Sequence, residues 1–500
     1  MKSSRKTSQY HIAEGYMTVF LALSVTVLLS LILVLVEGAR INAIRMKTEC
    51  AGNIAVRSVL GEFHRELLRQ YDLYFIDASY GTGSASTENV RQHLQNYMEK
   101  NLDTSVSTVF GASGDFTGTQ LRELTVDGTR YVADDGACPL REQVYAYMAA
   151  DPAGHVLAEA LKNTGTWKGL LEDSSVWNRK RDEARKDLRE GIRKARKNAR
   201  KNHTEEERQE AEEEGDDTAQ EAIQEIDRFR LLPILSQVFG DTSVISSASS
   251  GGNLLSGRGI HYGSALKPAN SHGYPRADEV LFDLYLGEKC GCYTDLSGKG
   301  RLKYQLEYIL EGKESDRENL EKIAEKLLLI REASNCACLF TDSGRMAQAE
   351  AVASVLSLVL LNPELKELFK TVLLFAWAYL ESVRDLRILF DGGRVPLFKS
   401  PESWNTSLLG LLFPEASVSE GGKGGGDGFL YTDYLQALLL LEGSSVKSLR
   451  AMDIMEMDIR MTEGNSGFRM DWCLDAFSMK ATVGSRFGYE FELTKCEGYD

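Results

Sequence analysis

Two thiol pairs, Cys290-Gly-Cys292 and Cys336-Ala-Cys338, are the closest spacing of cysteine or histidine side chains in the chain. Structural zinc sites usually separate paired ligands by two to four residues, which leaves room for a turn, and no His lies near either pair. The four cysteines are the candidate metal ligands. On an oxidising side of a membrane the same thiols would close disulfides, and in an apolar setting they would pack unpaired. The spacing leaves all three readings open.

Acid–base chemistry has little to work with. There are seven histidines, and the last is His272, so residues 273–500 lack the commonest general base. His261 and His272 fall in a Ser/Gly-rich stretch where imidazoles are usually solvated. Residues 420–428 (EGGKGGGDG) fail as a phosphate cradle. Lys423 follows Gly422, but Gly424 stands where Ser or Thr should hold magnesium, and Ser417 replaces the opening glycine. No Gly-x-Ser-x-Gly elbow occurs. Carboxylates number 73, yet nothing in their spacing singles out two. The expectation is a protein with no catalytic residue and no cofactor. The 58 basic against 73 acidic residues give a net charge of −15, a surface that repels phosphate backbones, so no nucleic-acid partner is expected.

The elements around these residues begin at a membrane. Tyr16 to Val36 is an uncharged run that includes Phe20 and Leu28, and as a helix it spans roughly 30 Å, the thickness of a bilayer's hydrocarbon core. Lys2, Arg5 and Lys6 precede it, so residues 1–15 are expected in the cytoplasm and the rest outside. The run is longer than a signal peptide's apolar core and reads as a retained anchor in the lipid bilayer. Two later apolar runs, 351–361 and 372–380, are too short to cross. They read as a helical hairpin with Asn362 capping and Pro363 opening the second helix.

Ala51, Ala55, Val59, Phe63, Leu67 and Tyr71 recur every four residues, predicting that the anchor continues as an amphipathic stalk with this stripe as its docking face. A strand over 73–77, a hairpin over 121–132 turning at Asp127-Gly128, and helices at 88–102 and 139–161 complete a small α+β layer within 37–170. Between Arg179 and Lys201 stand 12 basic and 4 acidic residues; between Glu205 and Asp227, 12 acidic and one basic. Within 171–239 this reads as a solvated charged helical insertion, or as a self-complementary hairpin whose contact could also join neighbouring molecules through 179–227. Residues 240–276 have linker composition. In 277–500 a capping box at Ser315–Glu318 opens a helix, the helical hairpin follows, 450–459 reads as a strand, and 479–493 reads as a β-hairpin. The fold class is α+β.

Several phrases carry a resemblance: GYMTVFLAL from Gly15, EGARIN from Glu37, EFHRELLRQYDLYFID from Glu62, LEYILEGK from Leu306, AWAYLE from Ala376 and GGRVP from Gly392. Together they resemble uncharacterised single-pass membrane proteins of Gram-positive bacteria that are similar to TadE/TadG-type pseudopilin-like components of Tad/Flp pilus assembly. The resemblance implies an exported assembly component whose partners are other pilus or secretion-system membrane proteins. It also marks Gly15 as a candidate processing site. The glutamate expected five residues further on is Phe20 here, so the carboxylate that would neutralise a neighbour's new amino terminus is missing. The expected function is non-enzymatic assembly or anchoring; the alternative is an exported cell-envelope hydrolase acting on cell-wall polymer.

Overall fold

The computed structural model describes residues 8–103, 116–149, 154–202, 216–264, 266, 276–296, 300–359, 362–419 and 428–499. In chain order the elements are α1 (Ser8–Leu60), α2 (Arg65–Tyr71), β1 (Ile76–Asp77), α3 (Thr87–Leu102), β2 (Thr119–Tyr131), α4 (Asp134–Ala149), α5 (Gly154–Asn202), α6 (Asp216–Leu231) and α7 (Ile234–Val238). Then follow α8 (Arg276–Lys289), α9 (Gln305–Glu311), α10 (Asp316–Leu339), α11 (Ser343–Val359), α12 (Lys366–Phe390), α13 (Pro414–Ser419), α14 (Tyr431–Leu441), α15 (Ser444–Arg460), β3 (Cys473–Ser485) and β4 (Glu490–Gly498). The fold is α+β, mostly helical with a few strands.

α1 changes environment along its length. Its first part carries the uncharged run, whose large apolar side chains are left uncovered: Phe20 is 70% and Leu28 57% exposed. From Ile44 the same helix is part of a core. Ile44, Thr48, Ala51, Ala55, Val56 and Val59 are buried, and Gly52 lets the helix backbone approach β4 so closely that a Cβ there would stand 2.1 Å from Leu493 Cδ2. The expected continuous stalk to residue 71 is corrected here. α1 stops at Leu60, the chain bends through Gly61–His64, and α2 starts with His64 Nδ1 accepting from the Leu67 amide. Phe63, expected on the docking stripe, lies in this bend and is half-buried, its ring edge-on to Tyr74 at 5.2 Å. Nor is there a free stalk, because the helix is absorbed into the domain as soon as its apolar run ends.

What α1 lies on is an antiparallel sheet drawn from both ends of the chain. β3 pairs with β2 along one side, and with β1 and then β4 along the other. Phe477, Met479, Ala481 and Val483 of β3 meet Ala51, Ala55 and Val59 of α1, and Val90, Leu94 and Met98 of α3. The hairpin at 479–493 forms as expected. The hairpin over 121–132 does not. β2 runs straight through Asp127-Gly128 with a bulge between Val126 and Gly128, because β3 offers partners on both sides of that dipeptide. Leu266 closes over the bulge and would stand 2.9 Å from a Cβ at Gly128.

The remaining helices form two further cores. One joins α2, α4, α8, α9, α10, α14 and α15; the other joins α5, α6, α10, α11 and α12. Ser315 caps α10 by accepting from the Glu318 amide, and Asn362 accepts from Glu364 at the start of the second hairpin helix. Residues 450–459 are helix, not strand. The alternation of Met and Ile with acids imitates a strand, but Asp453, Glu456 and Asp458 are buried as well, so residues 451–459 of α15 are enclosed on all sides and have no solvent face to set a period.

The Ser/Gly-rich segment is a packed strap where a linker was expected, as far as it is described. Leu254 and Leu255 are buried, Ser250 donates to Glu314 O, Ser264 and Thr129 exchange backbone hydrogen bonds, and the guanidinium of Arg258 clamps Glu456 and Asp471. The charged arms are likewise anchored. Ala184, Leu188 and Ala195 of α5 and Ile226 and Phe229 of α6 enter the core around α12, and the arms meet where Arg185 and Arg189 both reach Asp227. The glycine loop 420–427, His272, the middle of the charged hairpin (203–215) and residues 1–7 lie outside the described residues.

Candidate functional site

A buried polar cluster forms where α10 and α12 cross beneath the segment 395–406. Arg331 on α10 is fully buried. Its guanidinium donates to Asp385 at 2.8 and 3.0 Å, to the Pro396 and Leu397 carbonyls at 2.8 Å each, and to Tyr434 Oη at 3.1 Å. Asn335, one turn on, donates to Asp385 at 2.9 Å and to Ser382 at 3.0 Å. Lys399 reaches Asp385 Oδ1 at 2.5 Å and also pairs with Glu381, which accepts the Asn405 and Thr406 amides at 3.0 and 2.8 Å. Two cations face two carboxylates. Burial alone would raise the Asp385 pKa, but the charges of Lys399 and Arg331 outweigh it and hold the carboxyl below its usual range. The cluster joins α10 to α12 and fixes the loop 395–406.

Beside it lies a small cavity of about 130 Å³, lined in part by Cys338, Thr341, Arg345, Lys399 and Trp404. The Arg345 guanidinium lies over the Trp404 ring at 5.2 Å, and the Trp404 Nε1 donor is buried without a hydrogen-bond partner among the described residues. A second groove, of about 510 Å³, is more open and mixes Phe229, Leu232 and Phe413 with Glu225, Arg228 and Glu415.

The structure does not bring the four cysteines of the sequence-based reading together. Cys290 and Cys292 sit in the core around α9, α14 and α15, and Cys336 in the core around α12, with Cys338 donating to the Lys399 carbonyl at 3.3 Å. All four are free thiols. Burial pushes Cys292 up to about 11 and raises Cys290 and Cys336 further, which makes them inert packing groups. Among the described residues no group of three or more His, Cys, Asp or Glu side chains could hold a metal. His261 donates its backbone N–H to Asp471 and sets its ring edge-on to Tyr131.

The anchor residues Tyr16, Phe20, Leu28 and Val36 lie on one bare helix, and Gly15 lies inside that helix. Of the stripe, Ala51, Ala55 and Val59 dock on the sheet, while Leu67 and Tyr71 enter the core of the helical body, where Tyr71 Oη donates to Asp458 at 2.7 Å. The Arg331–Asp385–Lys399–Glu381 cluster was not read from the sequence. The available signal was the run AWAYLESVRDL from Ala376, in which Glu381 and Asp385 recur four apart at the end of an apolar stretch.

The fold and its cores describe an α+β body on a helix which, among the described residues, is the one long and apolar enough to cross a membrane. The chain belongs to a family of unknown function, DUF5702, whose model matches residues 212–485. That span runs from the charged hairpin to the end of β3. It includes the buried cluster but neither α1 nor β4. No curated protein and no solved structure matches the chain.

Proposed function

We propose that this protein is a non-enzymatic, single-pass membrane component that presents its α+β body outside the cell and acts in the assembly or anchoring of a Tad/Flp-like pilus or secretion machine. The observation that carries the reading is the division of α1. Its uncharged part is bare on every side, while the part from Ile44 to Val59 is a core element of the domain. A helix built this way couples lateral contacts in the bilayer directly to the domain, as a subunit that assembles through its membrane segment requires. The basic residues before the run favour a cytoplasmic amino terminus. The non-enzymatic reading is supported by the buried cluster, whose charges neutralise one another.

The test is photo-crosslinking from positions 20 and 28 in intact cells, combined with protease treatment of protoplasts. Crosslinks to pilus- or secretion-system membrane proteins, with the carboxyl-terminal portion digested from outside, are expected. A protected carboxyl-terminal portion would overturn the orientation. Crosslinks confined to lipid, in a strain whose deletion alters cell-wall composition only, would favour the envelope-hydrolase alternative. Amino-terminal sequencing of the mature chain reads processing at Gly15 directly, since a start at Tyr16 requires it.

A further inference from the structure

We infer that the exported body is seated on the bilayer by an aromatic collar around residues 37–40 of α1, formed by the β3–β4 turn and the segment leading into β2; this rests on the reading of 16–36 as a membrane anchor. The collar begins at the first charged residue after the apolar run. Glu37 pairs with Arg40 and accepts from Tyr489 Oη at 2.6 Å. The Arg40 guanidinium lies over the Phe487 ring at 3.9 Å and over the Phe116 ring at 5.1 Å, and Arg486 approaches Phe487 from its own turn at 5.1 Å. The two loops are tied together. Ser485 Oγ donates to Thr117 O at 2.6 Å, the Arg486 amide donates to Gly118 O at 2.9 Å, and a Cβ at Gly118 would stand 2.4 Å from Arg486 Cγ.

The rings are packed against the helix but not covered. Phe116 is 47% exposed and Phe487 38%. Arg40 is four residues beyond Val36, roughly 6 Å along the helix axis. The headgroup layer of one leaflet is roughly 5–8 Å deep. Rings at the height of Arg40 therefore fall inside that layer, where aromatic side chains bury their apolar faces and arginines keep their charge hydrated. Continuity with the anchor decides the occupant. Any surface fixed this close to the end of a membrane helix meets lipid headgroups before it can meet a soluble partner. The structure also leaves no spacer, because Ile44 is already in the core.

The experiment uses the full chain in phosphatidylcholine vesicles, with Phe487→Trp and Phe116→Trp as separate variants and Leu28→Trp as the anchor reporter, each read as its difference from wild type. Vesicles carry a nitroxide either next to the headgroup or near the bilayer centre. Quenching of the indole at 487, and of that at 116, about twofold stronger with the headgroup-proximal label is expected for a ring in the interfacial layer. The indole at position 28 should show the reverse preference. If the chain floats with vesicles and the position-28 indole is quenched from the centre, but neither collar indole is quenched, the collar is overturned and the anchor stands. If the chain does not float, the anchor reading fails and takes the collar with it.

Discussion

Asp385 accepts from Arg331 and Asn335 and pairs with Lys399, so it holds both cations of the buried cluster. Asp385→Asn keeps the shape and removes one negative charge, leaving two buried cations facing one carboxylate. Breaking a buried pair by removing one partner costs about 3–5 kcal/mol. A corresponding fall in the urea midpoint, with unchanged slope, is expected for Asp385→Asn. Glu307 presents the opposite case. It is fully buried, accepts from the Tyr293 amide and Tyr431 Oη at 2.8 Å each, and has no cation against it among the described residues. Burial pushes its pKa up to about 7, although those two donors pull it down.

A carboxyl whose folded pKa lies above its unfolded value binds its proton more tightly when folded. Its contribution is thus fully present below the unfolded pKa near 4.5 and is lost as pH rises through about 7. Glu307→Gln should flatten that part of the stability–pH curve and raise the melting temperature at pH values above 7. The full difference between the two pKa values is worth about 3 kcal/mol. An unchanged slope in the variant would show that other groups set the pH dependence. Neither residue was legible as part of a site. Arg331 and Asp385 lie 54 positions apart, and each reads in its own helix as a charge on a mixed face. Only the crossing of α10 and α12 makes them partners.

At the scale of elements, local signals were legible and long-range ones were not. The Ser315 cap, the Asn362-Pro363 start and the alternation in 479–493 are decided within a few residues, and each forms as the sequence predicts. The Asp127-Gly128 turn signal is overridden because β3 lies alongside, and the period of α15 is hidden because its acids find buried donors such as Arg258, Gln305 and Tyr308. The strap before residue 264 has a flexible composition but is pinned by backbone pairing with β2 and with the turn before α10.

The docking of α1 on the sheet depends on a close approach that sequence spacing cannot show. Gly52→Val would drive side-chain carbons into Leu493 and toward Met479, whose Cε stands 3.5 Å from the site of a Cβ. Overpacking of this kind costs about 1–3 kcal/mol. Leu493→Ala in the same chain should recover part of the loss. A double-mutant cycle with no coupling would place the two residues apart.

For the whole molecule, one helix belongs to two environments, and the boundary between them can be located by truncation. A chain starting at Glu37 loses the uncharged run and keeps Ile44 to Val59, which cover Phe477, Met479, Ala481, Val483 and Leu493 together with α3. It should remain in solution without detergent and unfold cooperatively. A chain starting at Glu62 removes the α1 share of that core and uncovers one side of the sheet, a contiguous apolar face of the kind that drives aggregation. It should aggregate, or lose the near-ultraviolet signal of the tyrosines packed there while the helical body retains its far-ultraviolet signal. A well-folded monomer starting at Glu62 would mean that α1 is an appendage of the domain. The helix could then act only as a tether, and a push or rotation of its apolar segment would not reach the sheet. If the two chains differ as argued, any lateral contact made along that apolar segment is transmitted as a rigid-body movement of the β3–β4 face.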